Sequence, residues 1–166
     1  MPEPAGPVSA APEPAARDVP AGGAARVVLA FDYGLRRIGV ACGDTVSRTA
    51  APQTALPVKS GSPPPWALID ACLRDWQPAL IVVGLPYNVD GSDSTMTGAA
   101  RGFAAELMRR HRLPVVLVDE RYSSREAEAR LKTARESGLR RRRIVKADVD
   151  AAAACVILER WFSEQT

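Results

Sequence analysis

The sequence predicts an α/β domain in which a mixed five-stranded sheet carries helices on both faces. The first observation is an apolar run at 27–31 that is followed by a glycine-bearing turn and a second apolar stretch, a pattern typical of a β-hairpin. The second is the alternation of apolar strands with helical segments over the rest of the chain, which is typical of parallel strands joined by helices. A hairpin that leads into such an alternation gives a sheet of mixed direction.

Length and composition set the limits of this domain. The 166 residues are enough for one domain. The stretch 1–25 is rich in proline, alanine and glycine and lacks the pattern of a secretory signal, so we expect a disordered tail before a domain at 26–166. No apolar run is long enough for a membrane helix. Cys42, Cys72 and Cys155 are expected to be buried free thiols of a cytoplasmic protein.

Five strands are predicted from apolar runs and the turn residues between them. Residues 27–32 and 37–42 flank the tight turn 33–36. Residues 49–58 form a weaker strand, which we place at an edge because its two prolines cannot donate ladder hydrogen bonds. The other two strands are apolar throughout and are expected to be buried: 79–85 and 114–118.

Four helices are predicted between and after these strands. Residues 66–76 have apolar side chains at helical spacing, and 99–110 repeat the pattern more weakly. The last two helices are expected at 126–135 and 148–162, with a basic connection, 137–146, between them.

Acidic residues stand at three ends of these elements. Asp32 ends the first strand, Asp119 and Glu120 end the last one, and Asp148 and Asp150 open the final helix. The carboxyl ends of neighbouring parallel strands share one edge of a sheet, and the beginning of a helix packed on that sheet can reach the same edge. The sequence therefore predicts that several carboxylates converge there.

Each of these acids also has a purely structural interpretation. Asp32 could bond to the backbone of its own turn, and Glu120 could pair with a neighbouring arginine. Asp148 could be the N-cap of the helix, with Asp150 favoured by the helix dipole. Asp150, however, lies four residues before Ala154, on a helix face that we expect to be buried.

Converging carboxylates in a chain with a single histidine favour a hard divalent cation, Mg²⁺ or Mn²⁺. Two such ions would activate a water molecule and stabilise the leaving oxygen of a phosphodiester. Gly34 would allow a phosphate to approach the backbone closely. Basic side chains that could hold phosphates flank the predicted site: Arg36, Arg37, Arg121, Arg140, Arg141, Arg142, Arg143 and Lys146.

Four stretches of the chain resemble one known family. They are FDYGLRRIGVACGD (31–44), IVVGLPYNVDGS (81–92), VDERYSSREAEARL (118–131) and VDAAAACVILERWF (149–162). In this order they are similar to the YqgF, or RuvX, family of ribonuclease-H-like proteins. The resemblance implies a ribonuclease-H-like fold with a divalent-metal site.

The resemblance also implies roles for particular residues. Asp32, Glu120 and Asp150 match the family's acidic residues and would be both catalytic residues and metal ligands. Asp119 belongs to the same motif as Glu120, but strand residues alternate between faces, so both should not enter one site. Asp119 would then be a further metal ligand or support the ligands. Asp148 departs from the family's pattern, and its closeness to Asp150 makes it an alternative ligand or supporting residue at this end of the helix. The loop that contains Asn88 would line the substrate groove.

The function that the resemblance implies is metal-dependent cleavage of structured nucleic acid. The expected substrate is the 5′ end of pre-16S rRNA, in ribosome biogenesis. The alternative is a four-way DNA junction, whose resolution needs paired cuts and therefore a homodimer. Two other classes are less favoured: phosphotransfer of the actin-like type, for which the chain has room for one lobe only, and a nucleic-acid scaffold without catalysis.

Overall fold

The structure, a computed structural model, describes residues 25–88, 90–119, 129, 131–133 and 146–165, with the side chains of 146–148 left aside. Within these ranges the chain forms six strands: β1 (Val27–Asp32), β2 (Arg37–Asp44), β3 (Ala50–Pro52), β4 (Leu56–Pro57), β5 (Leu80–Leu85) and β6 (Val115–Asp119). Three helices are described over their full length: α1 (Trp66–Trp76), α2 (Thr97–His111) and α3 (Lys146–Glu164). None of the helices in these ranges is long and apolar enough to span a membrane.

The strands form one mixed sheet in the order β3-β2-β1-β5-β6, with β4 paired to the other end of β2. β1 and β2 are antiparallel, whereas β1, β5 and β6 run parallel. The predicted mixed sheet is confirmed, but it has six strands where five were expected. The predicted strand 49–58 is in fact β3 and β4, because the chain leaves the ladder after Pro52 and rejoins β2 only at Leu56.

Helices cover both faces of the sheet, as predicted. Even-numbered residues of β1 and β6, such as Ala30 and Val118, pack against Ile157 and Trp161 of α3. Odd-numbered residues of β1 and β6 lie on the opposite face with α1 and α2. The buried side chains on that second face include Leu29, Phe31, Val115, Ile69, Leu73, Phe103 and Leu107.

The bounds of several elements differ from the prediction. β1 and α1 have the predicted residues, but β2 continues to Asp44 and α2 begins at Thr97. α3 begins at Lys146, so Asp148 is the third residue of the helix and not its N-cap. Ala129 and residues 131–133 are helical, within the helix predicted at 126–135. The predicted tail up to residue 24 and the basic connection up to residue 145 lie outside the described residues.

The cysteines are free, as expected, but only Cys155 is buried. Cys42 and Cys72 are partly exposed, which corrects the prediction that all three are buried. Burial still raises the pKa of the Cys72 thiol to about 11, with smaller contributions from Asp75 and Cys42. The pKa of Cys42 is likewise raised, by burial and then by Asp44, so neither thiol is activated.

Candidate active site

The candidate site lies at the edge of the sheet where the three parallel strands end. Leu85 of β5 is level with Asp119 of β6, and Phe31 of β1 is level with Val83 of β5. Asp32, the last residue of β1, is therefore at the same edge as the ends of β5 and β6. The register thus places the carboxyl ends of three strands together, as the sequence predicts.

Gly39 brings Asp150 to this edge. Asp32 lies directly opposite Gly39 in the β1–β2 ladder, so both residues project to the same face, the one covered by α3. A Cβ atom on Gly39 would lie 2.6 Å from the carbonyl carbon of Asp150 and would collide with its carbonyl oxygen. The backbone of α3 at Asp150 therefore rests on Gly39, beside Asp32. The structure thus brings together two of the three acids that the resemblance implies.

Arg37 pairs with Asp150. Arg37 lies two residues before Gly39 on β2 and projects to the same face. Its Nε donates a hydrogen bond to Asp150 Oδ2 at 2.9 Å, and the two side chains are 33% and 18% exposed. The negative charge of Asp150 is therefore compensated by a half-buried arginine, for which the sequence predicts a phosphate contact.

The end of β6 is held by α3 but directs Asp119 elsewhere. Val118 packs on the α3 face, so Asp119 projects to the opposite face of the sheet, away from Asp150. The backbone oxygen of Asp119 accepts a hydrogen bond from Arg160 Nη1 at 3.0 Å. Glu120 and Arg121 follow directly and lie outside the described residues.

The loop after β5 is braced by its own side chains. Asn88 Nδ2 donates to Ser92 Oγ and to the backbone oxygen of Asp93, both at 3.1 Å. Asp90 Oδ1 accepts a hydrogen bond from the backbone N–H of Ser92 at 2.9 Å. The Asn88 amide group therefore shapes this exposed loop, and its contact with nucleic acid stays a prediction.

The remaining predicted contacts belong to the hairpin and to the basic connection. At Gly34, a Cβ atom would lie 2.6 Å from the backbone oxygen of Arg37, so the hairpin itself requires glycine there. Arg36 is exposed at the hairpin end. Residues 140–143 and the side chains of Lys146 and Asp148 are outside the described part of the structure.

The donors at this edge are carboxylate oxygens, which suit Mg²⁺ and Mn²⁺ and not a metal that prefers thiolate or imidazole. In the part of the chain that the structure describes, no three histidine, cysteine or acidic side chains are grouped closely enough to hold a metal ion. Asp32 and Asp150 would supply two ligands, and the third acid implied by the resemblance is Glu120. The described donors therefore fit a hard divalent cation.

Comparison with known proteins identifies the family. A family model described as RuvX, Holliday junction resolvase, matches residues 26–164. This chain belongs to the RuvX family. A relative from Yersinia pestis (strain Pestoides F), named "Putative pre-16S rRNA nuclease", is 45% identical over 140 residues, which cover 84% of this chain and 96% of the relative. A relative of the same name from Yersinia pseudotuberculosis serotype IB is 44% identical over the same length.

Solved structures share the fold of this RuvX chain. RuvC from Thermus thermophilus in complex with a Holliday junction substrate has a TM-score of 0.54 at 15% identity, and the match covers 84% of this chain and 95% of RuvC. The yeast mitochondrial Holliday junction resolvase Ydc2 has a TM-score of 0.50 at 12% identity, over 83% of this chain and 78% of Ydc2. The predicted fold and the family resemblance are therefore confirmed. The family description and the names of the relatives both denote nucleases, so nuclease function is supported for this member.

Proposed function

We propose that this RuvX protein is a divalent-metal-dependent endonuclease that hydrolyses phosphodiester bonds of structured nucleic acid. Asp32, Asp150 and Glu120 are proposed as the catalytic residues and metal ligands, with two Mg²⁺ or Mn²⁺ ions. The observation that carries the proposal is the position of Asp32 and Asp150 on one face of the sheet, at the edge where the parallel strands end. Asp148 would supply a further ligand or support the site, whereas Asp119 projects to the opposite face and would support the site only through its backbone.

The described residues account for how the carboxylates would be held. β1 is paired on both sides, so Asp32 sits at the end of a rigid strand. Asp150 is fixed by the packing of α3 on Gly39 and by its ion pair with Arg37. When bound, divalent ions would supply an activated water molecule and stabilise the leaving oxygen, so no histidine is needed as a base. The carboxylates would orient those ions against the scissile phosphate.

Basic residues around the site would bind the nucleic-acid backbone. Arg36 is exposed at the hairpin end, next to Arg37, and Asn88 lies on the loop after β5. At Gly34 the backbone oxygen of Arg37 takes the space of the missing Cβ, so a phosphate contact there would have to use the backbone of the turn. The remaining proposed contacts are Arg121, Arg140, Arg141, Arg142, Arg143 and Lys146. Such contacts recognise the phosphate backbone and the shape of the nucleic acid, not its sequence.

The favoured substrate is the 5′ end of pre-16S rRNA, processed in the cytoplasm during ribosome biogenesis. The name of the relatives that are 44–45% identical over most of the chain supports this choice. The second candidate is a four-way DNA junction, which the description of the family model supports. That activity would require a homodimer, because two strands must be cut in a concerted manner.

Cleavage of two labelled substrates side by side tests the proposal. An RNA that contains the pre-16S 5′ leader and a four-way DNA junction are incubated with the protein and Mg²⁺, and separately with Mn²⁺. We expect metal-dependent cutting of the RNA that falls by about 10²-fold or more in Asp32→Asn and in Asp150→Asn. Asp75→Asn is the matched control, because this exposed acid lies on α1, on the opposite face of the sheet.

Each outcome of this assay has a distinct meaning. Cutting of the DNA junction alone would replace the rRNA assignment with the resolvase activity. Undiminished cutting by both variants would show that the hydrolytic centre lies elsewhere. Binding of both substrates without cutting of either would favour the non-catalytic scaffold.

A further inference from the structure

The carboxylate of Asp150 already has a cationic partner within the protein. Arg37 Nε bonds to Asp150 Oδ2 at 2.9 Å, and Asp150 is only 18% exposed. Asp32 lies beside this pair on the same face of the sheet. Any divalent cation that uses Asp150 would therefore have to share its carboxylate with a guanidinium group.

We infer that Arg37 competes with the divalent cation for Asp150 and thereby lowers the cation affinity of the site. This inference rests on the proposed function, because it takes Asp32 and Asp150 as the cation ligands. Arg37 then acts as a positioning residue: it holds the Asp150 carboxylate in place, and it limits how tightly a cation binds.

Electrostatic repulsion between Arg37 and a bound cation would lower the cation affinity of the site. A unit positive charge close to a divalent ion is repelled by it, and the effect is larger near a protein than in bulk water because the effective dielectric constant is lower. Arg37 is one-third exposed, so solvent screens the repulsion only in part.

The ion pair with Asp150 does not use every donor group of Arg37. Among the described residues, Arg37 bonds to Asp150 through Nε alone. The two terminal nitrogens are the groups with which arginine binds phosphates in a bidentate manner. A contact between these nitrogens and nucleic acid is therefore compatible with the competition between Arg37 and a cation for Asp150.

Mn²⁺ binding measured by isothermal titration calorimetry, without nucleic acid and at low salt, tests the inference. We expect Arg37→Gln to bind Mn²⁺ about tenfold more tightly than the unmodified protein, the size expected for removal of a nearby unit charge. Arg37→Lys keeps the charge and should bind Mn²⁺ as the unmodified protein does. Arg74→Gln, which removes an exposed charge on α1, on the opposite face of the sheet, should change the affinity by less than about twofold.

Ionic strength separates this electrostatic effect from a structural one. The tenfold difference between Arg37→Gln and the unmodified protein should shrink at about 0.5 M KCl, because salt screens the repulsion. A difference caused by altered packing would not depend on salt in this way. Circular dichroism establishes that each variant is folded, and Arg37→Met, which keeps the length of the apolar stem, replaces Arg37→Gln if the latter does not fold.

Asp150→Asn distinguishes a failure of the inference from a failure of the proposed function. If Asp150→Asn loses Mn²⁺ binding but Arg37→Gln binds no more tightly than the unmodified protein, the competition is refuted and the cation site stands. If neither the unmodified protein nor Arg37→Gln binds Mn²⁺, the proposed cation site and the inference both fail.

Discussion

Gly39 is the residue on which the geometry of the candidate site depends most directly. A glycine inside a strand normally weakens it, because it adds backbone entropy and no packing. Here the missing side chain lets the backbone of α3 rest on β2 at Asp150. Because Asp32 lies opposite Gly39, the same contact sets the distance between the two acids.

We predict that Gly39→Ala destabilises the protein by about 1–3 kcal/mol, because the new methyl group must displace backbone and not a flexible side chain. Urea unfolding followed by circular dichroism measures this change. Gly98→Ala is the matched control, since its Cβ would meet no atom within 4 Å on the exposed side of α2. That variant should be unchanged or more stable by up to about 1 kcal/mol. If the two variants are equally stable, the backbone of α3 does not pack against Gly39 as described.

At the scale of elements, the hydroxyl group of Thr97 joins α2 to the end of β5. Thr97 is fully buried, and its Oγ1 donates to the backbone oxygen of Pro86 at 2.7 Å. The same oxygen accepts a hydrogen bond from the backbone N–H of Ser94 at 2.8 Å. Met96, at the N-cap position, provides no side-chain cap, so Thr97 fixes the first turn of α2 beside the loop of the candidate site.

We expect Thr97→Val to lower the free energy of unfolding by about 1–2 kcal/mol, because valine keeps the shape of threonine but cannot accept from the Ser94 N–H or donate to the Pro86 oxygen, which retains only its bond from Ser94 Oγ. Thr97→Ser retains the hydroxyl group and should recover most of the loss. Chemical denaturation of the three proteins under the same conditions measures both effects. A valine variant that is as stable as the unmodified protein would contradict the role of the hydroxyl group, and a serine variant that is as unstable as the valine variant would show that the methyl group contributes as well.

Elements that depend on local pattern were predictable from the sequence, whereas those that depend on distant contacts were not. α1 has the predicted bounds because its apolar spacing and the preceding prolines are local signals. α2 begins two residues before the prediction, because the hydroxyl of Thr97 bonds to a carbonyl eleven residues earlier. The predicted third strand is two strands, since the sequence shows its prolines but not where the chain rejoins β2.

The same distinction applies to the candidate site. Asp32 and Asp150 could be named because Asp32 ends a strand and Asp150 lies near the beginning of a helix. The pairing of Arg37 with Asp150 joins residues 113 positions apart, and no sequence pattern points to it. The sequence does show a glycine, Gly39, within an apolar strand. Such a glycine indicates that another part of the backbone approaches closely, but it does not identify that part.

At the scale of the whole molecule, the candidate site is built from the beginning and the end of the domain. The first two strands supply Asp32, Gly39 and Arg37, and the last helix supplies Asp150. α3 also reaches the end of β6, through Arg160 and the backbone of Asp119. The site therefore forms only when α3 is docked on the completed sheet, so cation binding should stabilise the fold as a whole.

We propose that Asp32 and Asp150 together form a cation site at this edge of the sheet. A crystal structure with Mn²⁺, measured at a wavelength that gives anomalous signal from manganese, tests it most directly. We predict an anomalous peak in contact with the carboxylates of Asp32 and Asp150, and its loss in crystals of Asp150→Asn. A peak elsewhere on the molecule, or none at Mn²⁺ concentrations that saturate the protein in solution, would show that these two carboxylates do not form the cation site.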